Sequence, residues 1–295
     1  MRGDFQARRC TEPVEVFCER LGVKFPLSTR LPNVVVHLKK NFMDEDKVSE
    51  FELRKFFLEY YRKTREIVKI HPEYKLGQNN YHLLSQDAKD ASRLFNFMNK
   101  VYGLISDLEK THTFIKRFPL KDYYQSNDID QLDFIKYHFE VFIHKVHTLL
   151  EVKKLWVNDF YGIGLKEEDC NWNNLKSYDK IKKSPTSIII KNYFKSFKHI
   201  IKYRHLNTHR AYFQDAKNDE LKTDLMIYTQ FKKYGLEVGE DFRRSMPEFI
   251  VDYRIKKYRS EKIEYINNGI EIAKTYSEQF ITIIQTEFFA DKMKK

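Results

Sequence analysis

The sequence is poor in the two residues that interrupt helices, with 9 glycines and 7 prolines among 295 residues. Both shares lie below the average of globular proteins, which excludes collagen-like and low-complexity chains. Hydrophobic residues make up 42% and charged residues 32%, so the chain has apolar material for a core and charge for a soluble surface. Its length is that of one large domain or two small ones.

Long apolar runs are absent as well. No window approaches the roughly 18 apolar residues of a membrane-spanning helix, and residues 1–5 have no apolar signal core. The three cysteines, Cys10, Cys18 and Cys170, lie at no metal-ligand spacing, so we expect reduced thiols. These absences predict a cytoplasmic protein without membrane attachment, metal or cofactor.

Between the prolines lie long stretches with the 3,4 spacing of apolar residues that is typical of amphipathic helices. We predict helices over residues 44–70, 81–118, 132–160, 185–213, 219–234 and 247–289, and a loop over 162–184. Ser126 to Asp128 is the expected cap of the third helix. The predicted fold is all-α, an antiparallel bundle of five to seven helices over residues 76–295. Residues 1–75 are predicted to be an N-terminal extension with one helix packed on the bundle.

The charge balance is basic, with 53 Lys and Arg against 42 Asp and Glu and a formal net charge of +11. Such an excess attracts phosphate backbones and anionic surfaces. A lysine excess that comes from AT-rich codons is the alternative explanation, so charge alone does not decide for a nucleic-acid partner.

One short segment carries a chemically suggestive pattern. An apolar stripe, made of Ile190, Phe194, Phe197 and Ile201, leads at its next step to Arg204. An arginine after a core stripe is expensive to bury without an anion, so we expect Arg204 to face a cleft or an interface. His205 and His209 follow, four residues apart and on one helix face.

This combination suits phosphoryl transfer. Histidine titrates near neutrality and moves protons, and arginine matches phosphate oxygens in a fork. Arg204 and His209 are five residues apart, which places them about 140° apart around a straight helix. A kink, the reach of the arginine, or a second subunit must therefore bring them together. A chance Arg–His pair in a basic protein is the alternative.

Residues 203–210, Tyr-Arg-His-Leu-Asn-Thr-His-Arg, resemble the signature of the HEPN superfamily. That signature is an arginine, a polar residue, three further residues and a histidine; His205 fills the polar position. The placement is also similar, because HEPN proteins carry the signature on a long helix that follows another amphipathic helix and a loop. The resemblance covers roughly residues 80–290.

The resemblance implies a metal-independent endoribonuclease that acts as a homodimer, with the motifs of two chains in one composite cleft. Many such proteins serve in toxin–antitoxin or phage-defence systems, so an antitoxin or regulatory partner is implied too. Arg204 and His209 would be catalytic, with His205, Asn207, Arg210 and Tyr212 in support. Some relatives place a tyrosine two residues after the motif histidine. Here Ala211 stands there, which argues against a nucleotide-modifying role.

Two further groups are candidates. Glu140, His144, His147 and Glu151 follow one helix face and form either a metal site or a polar stripe; Glu140 or His144 could also orient Arg204. A basic cluster with interleaved tyrosines either binds RNA or is a solvated face; it consists of Arg243, Arg244, Lys256, Lys257 and Arg259. The rival to the enzyme is a non-catalytic helical module that binds RNA or protein, and a third alternative is a structural metal protein.

Overall fold

The computed structural model describes residues 50–118, 122–202 and 215–292. Contacts between Cα atoms divide the chain at Val48 and Ser49, and all described residues belong to the second unit, Ser49–Lys295. The described residues form helices, turns and connections without a strand, which confirms the all-α prediction. None of these helices combines the length and the apolar character needed to cross a membrane.

Within the described ranges, the bundle contains six helices of twelve residues or more. They are α1 (Glu50–Lys69), α2 (Gln86–Ile115), α4 (Gln131–Phe160), α7 (Pro185–Ser196), α8 (Ala216–Lys233) and α10 (Glu248–Lys292). Four short helices lie between them, namely α3 (Asp122–Ser126), α5 (Trp172–Leu175), α6 (Asp179–Lys183) and α9 (Glu240–Ser245).

The helix starts are fixed by side chains that cap free backbone amides. Ser85 accepts a hydrogen bond from the amide of Ala88 at the start of α2, and Ser184 caps α7 directly before Pro185. At the start of α4 the cap is Asp130, which forms a reciprocal capping box with Asp133. The predicted cap at Ser126 is therefore wrong, because Ser126 ends the preceding short helix α3.

The predicted loop over residues 162–184 is largely structured. It contains a 3-10 turn (Glu167–Asp169) and the helices α5 and α6. The side chain of Asn171 accepts a hydrogen bond from the amide of Asn174 and so caps α5, while Leu175 and Ile181 are fully buried. These two apolar anchors hold the connection against the bundle.

Helix α10 is the axis of the bundle, and it packs against α1, α2, α4, α7 and α8. Contacts of α2 with α4 run in opposite chain order, since Arg93 reaches Asp159 and Asp107 reaches Lys145. These two helices are therefore antiparallel, as predicted. By contrast, α4 and α10 run parallel.

The register of α4 against α10 depends on a close approach at Gly269. Gly269 lies in the middle of α10 and is buried, and a Cβ atom there would lie 2.5 Å from the Cζ atom of Phe142 on α4. A larger residue at this position would force the buried Phe142 ring or the backbone of one of the helices to shift. Glycine normally weakens a helix by about 1 kcal/mol relative to alanine, so the close contact explains a residue that helix propensity disfavours.

We expect Gly269→Ala to lower the free energy of unfolding by about 1–3 kcal/mol, the usual cost of overpacking a core. The matched control is Gly103→Ala on α2, where a Cβ atom would meet nothing within 4 Å. Without a clash, that variant should gain about 0.5–1 kcal/mol from helix propensity. Urea unfolding followed by circular dichroism measures both, and equal stabilisation of the two variants would contradict the packing account.

Candidate active site

The signature residues Arg204, His205, Asn207, His209, Arg210 and Tyr212 lie outside the described residues. The geometry of the catalytic pair therefore stays a prediction. What the structure describes is the chain on both sides, up to Lys202 and from Asp215 onward.

The chain that precedes the signature, up to Lys202, packs against the core. Helix α7 ends at Ser196, Phe197 leaves helical geometry (φ −104°, ψ 16°), and helical backbone resumes at residues 198–202. Phe197, Ile200 and Ile201 are all buried in the main core. The chain is thus anchored directly before the signature, although it is not the single regular helix that periodicity predicts.

The predicted apolar stripe is wrong at one of its residues. Ile190, Phe197 and Ile201 are buried, but Phe194 is 41% exposed and Tyr193 takes its place in the core. The hydroxyl of Tyr193 donates to the carbonyl oxygen of Val146 at 2.8 Å. Because that bond satisfies its only polar group, Tyr193 can be buried in full, and its burial leaves Phe194 to point outward.

The C-terminal flank is anchored by a buried carboxylate. Asp215 caps α8 by accepting a hydrogen bond from the amide of Asn218 at 3.2 Å. Its Oδ2 atom also accepts one from the Tyr258 hydroxyl at 2.8 Å and lies 2.5 Å from Lys262 Nζ. Tyr258 and Lys262 both belong to α10, so the chain is tied to the central helix as it leaves the signature segment.

The electrostatics of this anchor follow from burial and pairing. Burial by itself raises the pKa of Asp215, but the ammonium of Lys262 and the hydrogen bonds outweigh it and hold the pKa below its usual value. Burial lowers the pKa of Lys262, with Asp215 acting in the opposite direction. The Lys262 ammonium also lies 4.0 Å from the ring centroid of Phe139 on α4, so the pair joins α4, α8 and α10.

The proposed supporting residues Glu140 and His144 lie on α4, the helix that also carries Phe139. Glu140 is half-buried, and burial raises the pKa of its carboxyl, with Lys136 and His144 acting in the opposite direction. His144 is exposed one turn further on. Whether either orients Arg204 is untested, because their proposed partner lies outside the described residues.

The proposed metal stripe does not assemble. His147 is buried and its Nε2 atom lies 3.2 Å from Glu151, which in turn pairs with Lys154 at 2.7 Å. Across residues 50–118, 122–202 and 215–292, no group of three or more His, Cys, Asp or Glu side chains is arranged to hold a metal ion. His147, Glu151 and Lys154 instead form a row of polar contacts along α4. Cys170 is a buried thiol that donates to the carbonyl oxygen of Lys154.

The predicted basic cluster is partly neutralised. Arg243 lies 3.6 Å from Glu237 and Arg244 lies 3.5 Å from Glu240. Arg259 is half-buried and donates to Gln131 at 2.8 Å, so it faces the bundle. Lys256 and Lys257 are exposed. RNA binding by this cluster stays a prediction, but only two of its five cations are both exposed and without a carboxylate neighbour among the described residues.

Sequence reasoning missed a different basic surface. Lys191, Lys195, Lys198 and Lys202 are exposed on α7 and on the helical turn that follows it. The sequence does contain a signal for this surface, because residues 180–214 include no Asp or Glu.

Comparisons with known proteins identify no relative: no family model, no curated protein and no solved structure matches this chain.

Replacing the carboxylate of the C-terminal anchor should destabilise the protein. Asp215→Asn keeps a capping side chain but leaves the largely buried Lys262 ammonium without its counter-charge, at an expected cost of about 3 kcal/mol. Because its folded-state pKa is depressed, the Asp215 carboxylate stabilises the fold above its unfolded-state pKa, and that contribution disappears as pH falls through the folded-state pKa.

The difference in stability between wild type and Asp215→Asn should thus be constant from about pH 5 to about pH 7 and should shrink below about pH 4. Thermal unfolding over this range measures it. The control is Asp252→Asn, an exposed carboxylate on α10, which should change stability by less than about 0.5 kcal/mol. A constant difference down to about pH 2 would refute the ion-pair account.

Proposed function

We propose that this protein is an endoribonuclease that cleaves RNA without a metal ion, using Arg204 and His209. The observation that carries the proposal is the signature at residues 204–209 in its helical setting. It follows the long helix α4, a connection and α7, within an all-α bundle, which is the order that the HEPN resemblance implies.

The anchored flanks support this proposal. Residues 203–214 connect Ile200 and Ile201, buried in the core, to Asp215, which is tied to α10. A catalytic segment needs such fixed ends, because small displacements of catalytic groups cost large factors in rate. The basic character of residues 180–214 supports an anionic substrate.

The reaction is a transfer at phosphorus. The 2′-oxygen of the substrate attacks the adjacent phosphorus and its proton passes to a general base. The bond from phosphorus to the 5′-oxygen breaks, and a general acid gives that oxygen a proton. The products are a 2′,3′-cyclic phosphate and a free 5′-hydroxyl. His209 acts as base or acid, and Arg204 neutralises the charge that develops on the phosphate.

The need for both a base and an acid favours a site made by two chains. Each chain contributes one signature histidine, His209, and a homodimer would bring two together. Arg204 and His209 are about 140° apart on a single straight helix. In a homodimer this separation would not matter, because the two residues of one site would come from different chains. His205 and Asn207 would support the site from the intervening turn.

The direct test is cleavage of labelled RNA by the full chain, with and without a chelator. We expect wild type to be active in both conditions, and Arg204→Ala and His209→Ala to lose at least about 100-fold in rate, the range of a lost acid–base catalyst. The control, His199→Ala, removes an exposed histidine on the N-terminal flank and should retain activity. A wild type that cleaves no RNA, or a fully active His209→Ala variant, would refute the enzyme and favour a binding module.

Mixing the two inactive variants tests the composite site. If each site takes Arg204 from one chain and His209 from the other, mixed dimers of Arg204→Ala and His209→Ala contain one intact site. After co-refolding, we expect partial recovery of cleavage. Full wild-type activity together with no recovery on mixing would exclude a site that takes only Arg204 from one chain and only His209 from the other.

A further inference from the structure

The positive charge of this protein is concentrated in one stretch of sequence. Residues 180–214 carry nine Lys and Arg residues and three His residues without a single Asp or Glu, and they account for nine of the eleven net positive charges. The remainder of the chain is close to neutral. A codon-driven excess of lysine would be spread along the whole chain, so it does not explain this distribution.

The structure places part of this charge on one exposed run. Lys191, Lys195, Lys198 and Lys202 follow one another at intervals of four, three and four residues, and all four are exposed. Lys191 and Lys195 lie on α7, and Lys198 and Lys202 lie on the helical turn that follows Phe197. The row ends two residues before Arg204, so it leads directly to the proposed catalytic segment.

Several other cations of the protein are paired with carboxylates. Lys217 pairs with Glu261 at 2.5 Å, Lys145 with Asp107 at 2.7 Å and Lys274 with Glu109 at 2.6 Å. Among the described residues, no carboxylate lies within 4.0 Å of any lysine of the row. No carboxylate of the described residues therefore neutralises the row at close range, and its charge is available to a ligand.

An exposed aromatic ring lies within the row. Phe194 is 41% exposed; it is three residues after Lys191, so it shares a face of α7 with that lysine. Exposed phenylalanine is costly in water unless something covers it. A basic groove with aromatic rings on which bases stack is the usual surface for single-stranded nucleic acid.

We infer that Lys191, Lys195, Lys198 and Lys202, with Phe194, form a binding track for single-stranded RNA that guides the strand to Arg204 and His209. The lysines contact phosphates and Phe194 stacks on an unpaired base. A duplex would hide its bases from Phe194, which is why the track selects single strands. The inference rests on the proposed function for its substrate, but its test does not require cleavage.

The test measures binding of a 2′-O-methylated 20-nucleotide RNA, which cannot be cleaved, to the full chain carrying His209→Ala. Fluorescence anisotropy is recorded over a series of salt concentrations. Replacing the four lysines of the row by glutamine should weaken binding on the order of 100-fold at about 0.1 M salt. It should also reduce the slope of log K against log salt by about 3, since each single-strand phosphate contact contributes about 0.7.

The matched control removes the same charge elsewhere. Lys63, Lys75, Lys100 and Lys116 are exposed, and their joint replacement by glutamine should change neither affinity nor slope by comparable amounts. Phe194→Ala should weaken binding about 10-fold without changing the slope, because stacking releases no counterions. If the fourfold variant fails to fold, the pairs Lys191/Lys195 and Lys198/Lys202 replaced separately should each remove about half of the slope change.

Three outcomes would overturn the track. Equal losses of RNA affinity in the row variant and the control would mean that only net charge matters. A loss of affinity only on replacing Arg243, Arg244, Lys256 and Lys257 would show that RNA binds at the other cluster. Row-dependent sedimentation with vesicles of about 30% phosphatidylglycerol, together with unchanged RNA affinity, would assign the row to a membrane surface. Cleavage of a dinucleotide too short for the track separates the two proposals, since it depends on His209 but not on the row.

Discussion

The parallel packing of α4 against α10 is the constraint on which the rest of this structure depends. At Gly269 the two helices come so close that Phe142 occupies the space of a side chain. From that contact the register continues in both directions, to Gln131 and Arg259 at one end and to Tyr161 and Glu287 at the other. Helices α7 and α8 pack on this pair, so the ends of the signature segment are positioned by it.

Buried polar groups show how this arrangement is made specific. Asp215, Tyr258 and Lys262 form a connected group in which each polar atom has a partner, and it fixes where α8 begins. Lys153 is different, because its amine is fully buried without a hydrogen-bond acceptor among the described residues and lies 3.9 Å from the ring centroid of Tyr193. Burial lowers the pKa of Lys153 well below its usual value. The first group holds the start of α8 against α10, whereas the second lies within the core beneath α7.

The two sides of α7 differ in character, one apolar and buried and the other charged and exposed. The apolar side of α7 holds the chain in the core through Tyr193 and Phe197, and the opposite side presents lysines to the solvent. Elsewhere on the surface many cations are paired with carboxylates. An exposed basic surface on this side of the helix suits a polyanionic ligand.

The sequence by itself determined the helical class, most of the long helices and the residues of the signature, because apolar spacing and scarce glycine and proline are local properties. It did not determine which aromatic of α7 would be buried, since that depended on the Val146 carbonyl that accepts from Tyr193. Nor did it predict the cap at Asp130 or the anchor at Asp215, whose partners Tyr258 and Lys262 are more than forty residues away. The sequence contains the acid-free stretch, but only the tertiary structure decided which lysines are exposed, because exposure depends on what packs against the other face of the helix.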